Sequence, residues 1–140
     1  MSDTATTPRP VDAVLRRMFE IATLIKLTDE RFRSLIGRGA IRVTYYSPRG
    51  QEIISAAFGA QLRSDDYMVT TYRGLHDHLA KGVPPKDLWA EFLGRVTGTC
   101  KGKGGPMHIT DPRSGLMVTT GIVGSGIPIA NGLALASHLR

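Results

Sequence analysis

Apolar positions recur at helical spacing along the first part of the chain. Val11, Val14, Leu15, Met18, Ala22, Ile25, Phe32 and Ile36 share one face, and Gly37 and Gly39 end the run. One long amphipathic helix is predicted there. A loop punctuated by glycine and proline leads to Gly50, and Ile53, Ile54, Ala57, Phe58 and Leu62 mark a second helix. After the acidic turn Asp65-Asp66, residues 67–72 read as a short strand, which gives way to a helix at Tyr72-Arg73-Gly74. Pro84-Pro85 opens a further helix with Leu88, Trp89, Phe92, Leu93 and Val96 on one face. Residues 94–105 form a loop rich in glycine and lysine. The β-branched run 116–120 then leads into a glycine turn, 121–126, and a last helix starting near Pro128. That helix is apolar almost all round, so it is expected to be covered on several sides. The layers that would cover it are not among these residues, which points to the front part of a larger protein or a subunit completed by a partner. Strands alternating with helices place the chain in the α/β class.

Composition narrows the possibilities. A chain of 140 residues, 41% apolar, supports one domain with a core. Residues 1–10 are polar and read as a loose arm, with the domain over 11–140. The arm lacks the apolar centre of a signal peptide, and no apolar run reaches the about 18 residues of a membrane span. A single cysteine, Cys100, excludes a disulfide framework and fits a reducing cytoplasm. The net charge of +6 raises nucleic acid as a partner, but the basic residues are scattered and none are interleaved with stacking aromatics. An anionic small molecule or a partner subunit accounts for the charge as well.

Several motifs carry possible chemistry. The three glycines of 121–126 leave main chain bare for a small polar ligand, although close helix packing would also call for glycine. Their spacing reverses the dinucleotide fingerprint, and no acidic residue follows at the right distance. Residues 98–108 superficially resemble a phosphate cradle, but Lys103 is followed by Gly104 and the segment follows a helix, so the P-loop pattern fails. That segment is either a surface loop or one that faces an anion. Tyr72 and Arg73 sit at a strand end, where ligands of α/β folds gather. Arg73 either clamps a phosphate or caps the strand and pairs with Asp77. His76, His78 and His108 do not make a zinc set, since no cysteine or carboxylate cluster completes one. Cys100, beside Lys101, has no histidine partner in sequence.

Taken in order, Gly50-Gln51-Glu52, Asp65-Asp66-Tyr67, Thr71-Tyr72-Arg73-Gly74, Leu79-Ala80-Lys81-Gly82, Glu91-Phe92-Leu93-Gly94-Arg95, the run 101–108 and Gly121-Ile122-Val123-Gly124 resemble one family. The chain is similar, over roughly residues 10–140, to the alpha subunit of the thiamine-diphosphate-dependent 2-oxo acid dehydrogenase decarboxylase component. Pyruvate, branched-chain 2-oxo acid and acetoin dehydrogenase complexes contain such subunits. The resemblance implies the helix-rich N-terminal portion of a thiamine-diphosphate-binding fold. Tyr72 and Arg73 would hold the diphosphate, and the main chain of Gly121 and Val123 would meet the aminopyrimidine. The implied reaction is oxidative decarboxylation of a 2-oxo acid, with the acyl group passed to a lipoyl-bearing acyltransferase. A beta subunit would contribute the activating glutamate.

Two departures from the family bear on substrate. Tyr46 stands where many relatives have a histidine facing substrate, and Leu75 stands where a histidine often follows Tyr-Arg-Gly. Tyr46 can hydrogen-bond a carboxylate but cannot serve as a cation near neutral pH, and His76 and His78 lie near enough in sequence to substitute. The family's magnesium motif, Gly-Asp-Gly followed by Asn, is not in these residues, so the ligands of a magnesium ion are expected beyond residue 140. The 140-residue chain alone is expected to be inactive. The alternative is a truncated, non-catalytic remnant that keeps only subunit docking.

Overall fold

The computed structural model describes residues 9–140, so most of the predicted arm lies outside the described residues. The order of elements is α1 (Asp12–Gly37), α2 (Glu52–Gly59), β1 (Met68–Thr71), α3 (Leu75–Ala80), α4 (Pro85–Phe92), a 3-10 turn (Pro112–Ser114), β2 (Leu116–Thr120) and α5 (Gly126–His138). β1 and β2 pair in parallel, with Val69 opposite Val118 and Thr71 opposite Thr120. Parallel neighbours need a long crossover, which here carries α3 and α4. The architecture is mixed α/β: helices around a small parallel sheet.

The core lies between the second half of α1, the crossover helices and β2. Ile25, Phe32, Leu75, Leu79, Val83, Leu88, Phe92, Ile109 and Leu116 are buried together. Phe32 stacks on Trp89 at 3.6 Å and on Phe92 at 4.4 Å between ring centroids. The predicted apolar face of α1 is thus used unevenly: Ile25 and Phe32 are buried, while Val11 remains 67% exposed.

α1 and α4 stop in the same way. Gly39 (φ 70°) and Gly94 (φ 66°) take the left-handed conformation. The amides that follow the two helices turn back, Gly39 to Ile36 O and Ala40 to Leu35 O in one, Gly94 to Glu91 O and Arg95 to Ala90 O in the other. This paired arrangement satisfies the last carbonyls of a helix and needs glycine at its turning residue. It places Val96 beyond α4 and 76% exposed, not on the helix face expected for it. α5 packs on β1, yet none of its residues is buried. The layers that would cover this helix are absent from the described residues, as its apolar sequence leads one to expect. No helix is long and apolar enough to cross a membrane.

Candidate functional site

The parallel pairing sets the carboxyl ends of β1 and β2 side by side. The Tyr72 amide donates to Thr120 O at 3.0 Å, so Tyr72-Arg73 and Gly121 leave the sheet next to one another. Arg73 does not pair with Asp77. Its Nη1 donates to Ser47 O at 3.1 Å, and its guanidinium lies 5.7 Å from the Tyr46 ring centroid. Tyr46 meets the Tyr72 ring edge-on at 5.0 Å. Tyr46, Tyr72 and Arg73, far apart in sequence, form one cluster.

A buried carboxylate on α1 holds the loop that carries Tyr46. Asp29 is 1% exposed. It accepts from the Tyr45 hydroxyl and Ser47 Oγ, each at 2.6 Å, and from Arg33 Nε at 2.7 Å. Burial, reinforced by the bond to Asp29, pushes the Tyr45 phenol pKa far up, so it stays a donor. Asp77 performs a similar service behind the strand end. It accepts from Ser55 Oγ at 2.6 Å and from Thr70 Oγ1, tying α2, β1 and α3 together.

The histidines divide by environment. His78 is fully buried, its Nε2 2.9 Å from Thr119 Oγ1, and desolvation pushes its pKa down to about 3. It is a neutral bridge from α3 to β2. His76 is buried in α3, with Nε2 3.9 Å from Asp77 Oδ1 and Nδ1 without a hydrogen bond; it makes no recorded bond to Tyr46, Tyr72 or Arg73. His108 is exposed. Among the described residues, no group of three or more His, Cys, Asp or Glu gathers as a metal site would require.

The turn after β2 ties itself through side chains. Thr120 Oγ1 accepts the Ile122 amide at 3.1 Å and lies 2.8 Å from Ser125 Oγ, while Ser125 Oγ also donates to Ile122 O. This leaves the N–H and C=O groups of Gly121 and Val123 without a hydrogen bond among the described residues. Val123 is 84% exposed. The bare main chain expected from the glycines is present, beside the Tyr72–Arg73 end of β1.

The glycine and lysine loop does enclose an anion, and that anion belongs to the chain. Glu91, on α4, is fully buried. Its Oε2 accepts the amides of Cys100 and Gly102 at 2.8 and 2.9 Å, and its Oε1 those of Gly104 and Gly105 at 2.8 and 3.1 Å. Main-chain amides of one loop converging on a single carboxylate form an anion-binding concavity. The loop passes so close to itself that a Cβ on Gly104 would fall 2.0 Å from His108 O.

The family model for the dehydrogenase E1 component matches residues 20–140. The chain belongs to that family. Among curated relatives of this E1 chain, the alpha subunit of acetoin:2,6-dichlorophenolindophenol oxidoreductase from Cupriavidus necator is 36% identical over 99% of the chain and 41% of its own length. The pyruvate dehydrogenase E1 component subunit alpha of Rickettsia bellii is 36% identical over 91% of the chain and 39% of its length. The chloroplastic alpha-3 subunit of Arabidopsis thaliana is 38% identical over 88% and 29%. The E1 chain thus spans about two-fifths or less of the relatives it matches.

Sequence reasoning missed the residues that hold this site in place. Asp29 shares the α1 stripe with Ile25 and Phe32, and Glu91 shares the α4 stripe with Leu88 and Phe92. A lone acid on an apolar stripe was the available signal, because carboxylates are buried only where they are partnered.

Proposed function

We propose that this E1 chain supplies one side of a thiamine-diphosphate site and serves the oxidative decarboxylation of a 2-oxo acid. The acyl group passes to a lipoyl-bearing acyltransferase, and a beta subunit completes the catalytic unit. The observation that supports this most is the meeting, at two parallel strand ends, of an arginine held by a tyrosine and a carbonyl with main chain that has no partner of its own. The residues suit the two ends of the cofactor. A guanidinium forks onto phosphate oxygens, and Tyr72 adds a hydroxyl donor. Gly121 and Val123 offer N–H and C=O groups to the donors and acceptors of an aminopyrimidine.

When bound, thiamine diphosphate supplies a carbon nucleophile and an electron sink for decarboxylation. The chain's own residues position and exclude. Asp29 fixes the 45–47 loop, Ser47 O and the Tyr46 ring fix Arg73, and Arg73 fixes the diphosphate. Tyr46 faces the 2-oxo acid as a neutral donor to its carboxylate. His76, buried in α3, is given no step. Magnesium ligands are assigned to residues outside these 140, and a reducing compartment such as the cytoplasm suits the lone Cys100. The relatives' names include both pyruvate and acetoin enzymes, and substrate choice between such compounds is assigned to the Tyr46 environment.

The test is calorimetric titration of thiamine diphosphate with magnesium into the chain assembled with its beta subunit. Arg73→Ala is expected to weaken binding roughly ten-fold or more, the scale of a charge-assisted hydrogen bond. Unchanged affinity sinks the diphosphate assignment. The 140-residue chain alone is expected to show no 2-oxo acid decarboxylation.

A further inference from the structure

Burying Glu91 costs free energy that an apolar residue between Leu88 and Phe92 would not incur. Four amide donors offset that cost, and what the fold gains is a loop with one path. The carboxylate pins residues 100–105 from inside. Cys100 closes the loop from the other arm: its Sγ accepts the Thr110 amide at 3.2 Å and donates to His108 O at 3.5 Å. Ile109 is fully buried in the core and anchors the exit. His108 lies between these fixed points, exposed to solvent. Its ring stands over Gly121, where an added Cβ would lie 3.3 Å from His108 Cε1 and 3.9 Å from Nε2. The imidazole therefore sits at the carboxyl end of β2, against main chain already assigned to the cofactor ring.

We infer that Glu91 is a positioning residue for the proposed site: its carboxylate fills the amide nest of the 100–105 loop and thereby holds His108 over Gly121. Glu91 touches no ligand and acts through the loop. The nest is thus not a second phosphate site, since its donors are already taken. His108 is the titratable side chain that this loop delivers to the strand ends. The inference rests on the reading of the strand ends as a thiamine-diphosphate site.

The test uses nuclear magnetic resonance on the chain assembled with its beta subunit, with millimolar thiamine diphosphate and magnesium. In the wild type, the amides of Cys100, Gly102, Gly104 and Gly105 are expected to exchange slowly with solvent. The His108 ring signals and the Gly121 amide are expected to shift together on titration. In Glu91→Gln, one end of the side chain becomes a donor that faces two amides. Exchange at the paired amides should accelerate roughly ten-fold or more, and the His108 response should be lost while the fold persists. Leu79→Ala, a core variant, controls for lost stability and should leave the His108 response intact. Fast exchange at these amides in the wild type overturns the inference, as does an undiminished His108 response in Glu91→Gln or its equal loss in Leu79→Ala. If Gly121 shifts and His108 does not, the inference fails and the cofactor reading stands. If neither shifts, both fail.

Discussion

Asp29 and Glu91 solve one problem in two ways. Each is a carboxylate buried on the apolar stripe of a helix, and each fixes a loop at the carboxyl ends of the two strands. Asp29 gathers side-chain donors, two hydroxyls and a guanidinium. Glu91 gathers main-chain amides alone. Side-chain donors can be lost one at a time with the loop kept, because each has solvent or another partner to turn to. Amides belong to the path of the chain itself, so the loop and the carboxylate stand or fall together.

The largest expected effect is therefore at Glu91. Glu91→Gln leaves two buried amides without an acceptor, at about 1–3 kcal/mol each, and should lower stability by about 2–6 kcal/mol in urea unfolding. Asp29→Asn keeps an oxygen for Tyr45 and Ser47 and loses the charge facing the part-exposed Arg33. A loss of about 1–2 kcal/mol is expected. If Asp29→Asn proves the costlier change, the contrast between the two carboxylates is broken. Tyr45→Phe removes one hydroxyl from Asp29 and should cost about 1 kcal/mol. Its finer readout is Arg73: a loosened 45–47 loop should weaken phosphate-ligand binding with little loss of fold.

The smallest effect separates a third contribution, from His78. Burial holds this imidazole neutral, with its pKa pushed down to about 3 from an ordinary 6.5. The unfolded chain takes up the proton first, so stability from this source is whole above pH 6.5 and falls as pH drops toward 3. Melting temperature should decline by a few degrees between pH 7 and 5.5. That slope should flatten in His78→Gln; an unchanged slope assigns the acid sensitivity elsewhere.

The elements themselves were legible. The α1 stripe from Val14 to Ile36, the strand runs, the proline start of α4 and the glycine turn after β2 all follow from local spacing and propensity. The motif order also carried the family. What was not legible is what crosses the fold. Nothing local in Ser47 says that its carbonyl receives Arg73, and the amides around Glu91 have no side-chain signature. The acid at position 91 does fall on an apolar stripe, but its partners lie nine to fourteen residues on, in a loop whose shape exists only once they meet it. α5 shows the opposite case. Its apolar composition announced burial, and no described residue provides it.

A loop that carries its own counter-ion also has a consequence for selectivity. Inorganic phosphate in the surrounding solution finds the Glu91 nest already occupied by a tethered competitor that dilution cannot remove. If Arg73 holds the diphosphate as proposed, added phosphate is expected to compete with the cofactor there and not at the nest.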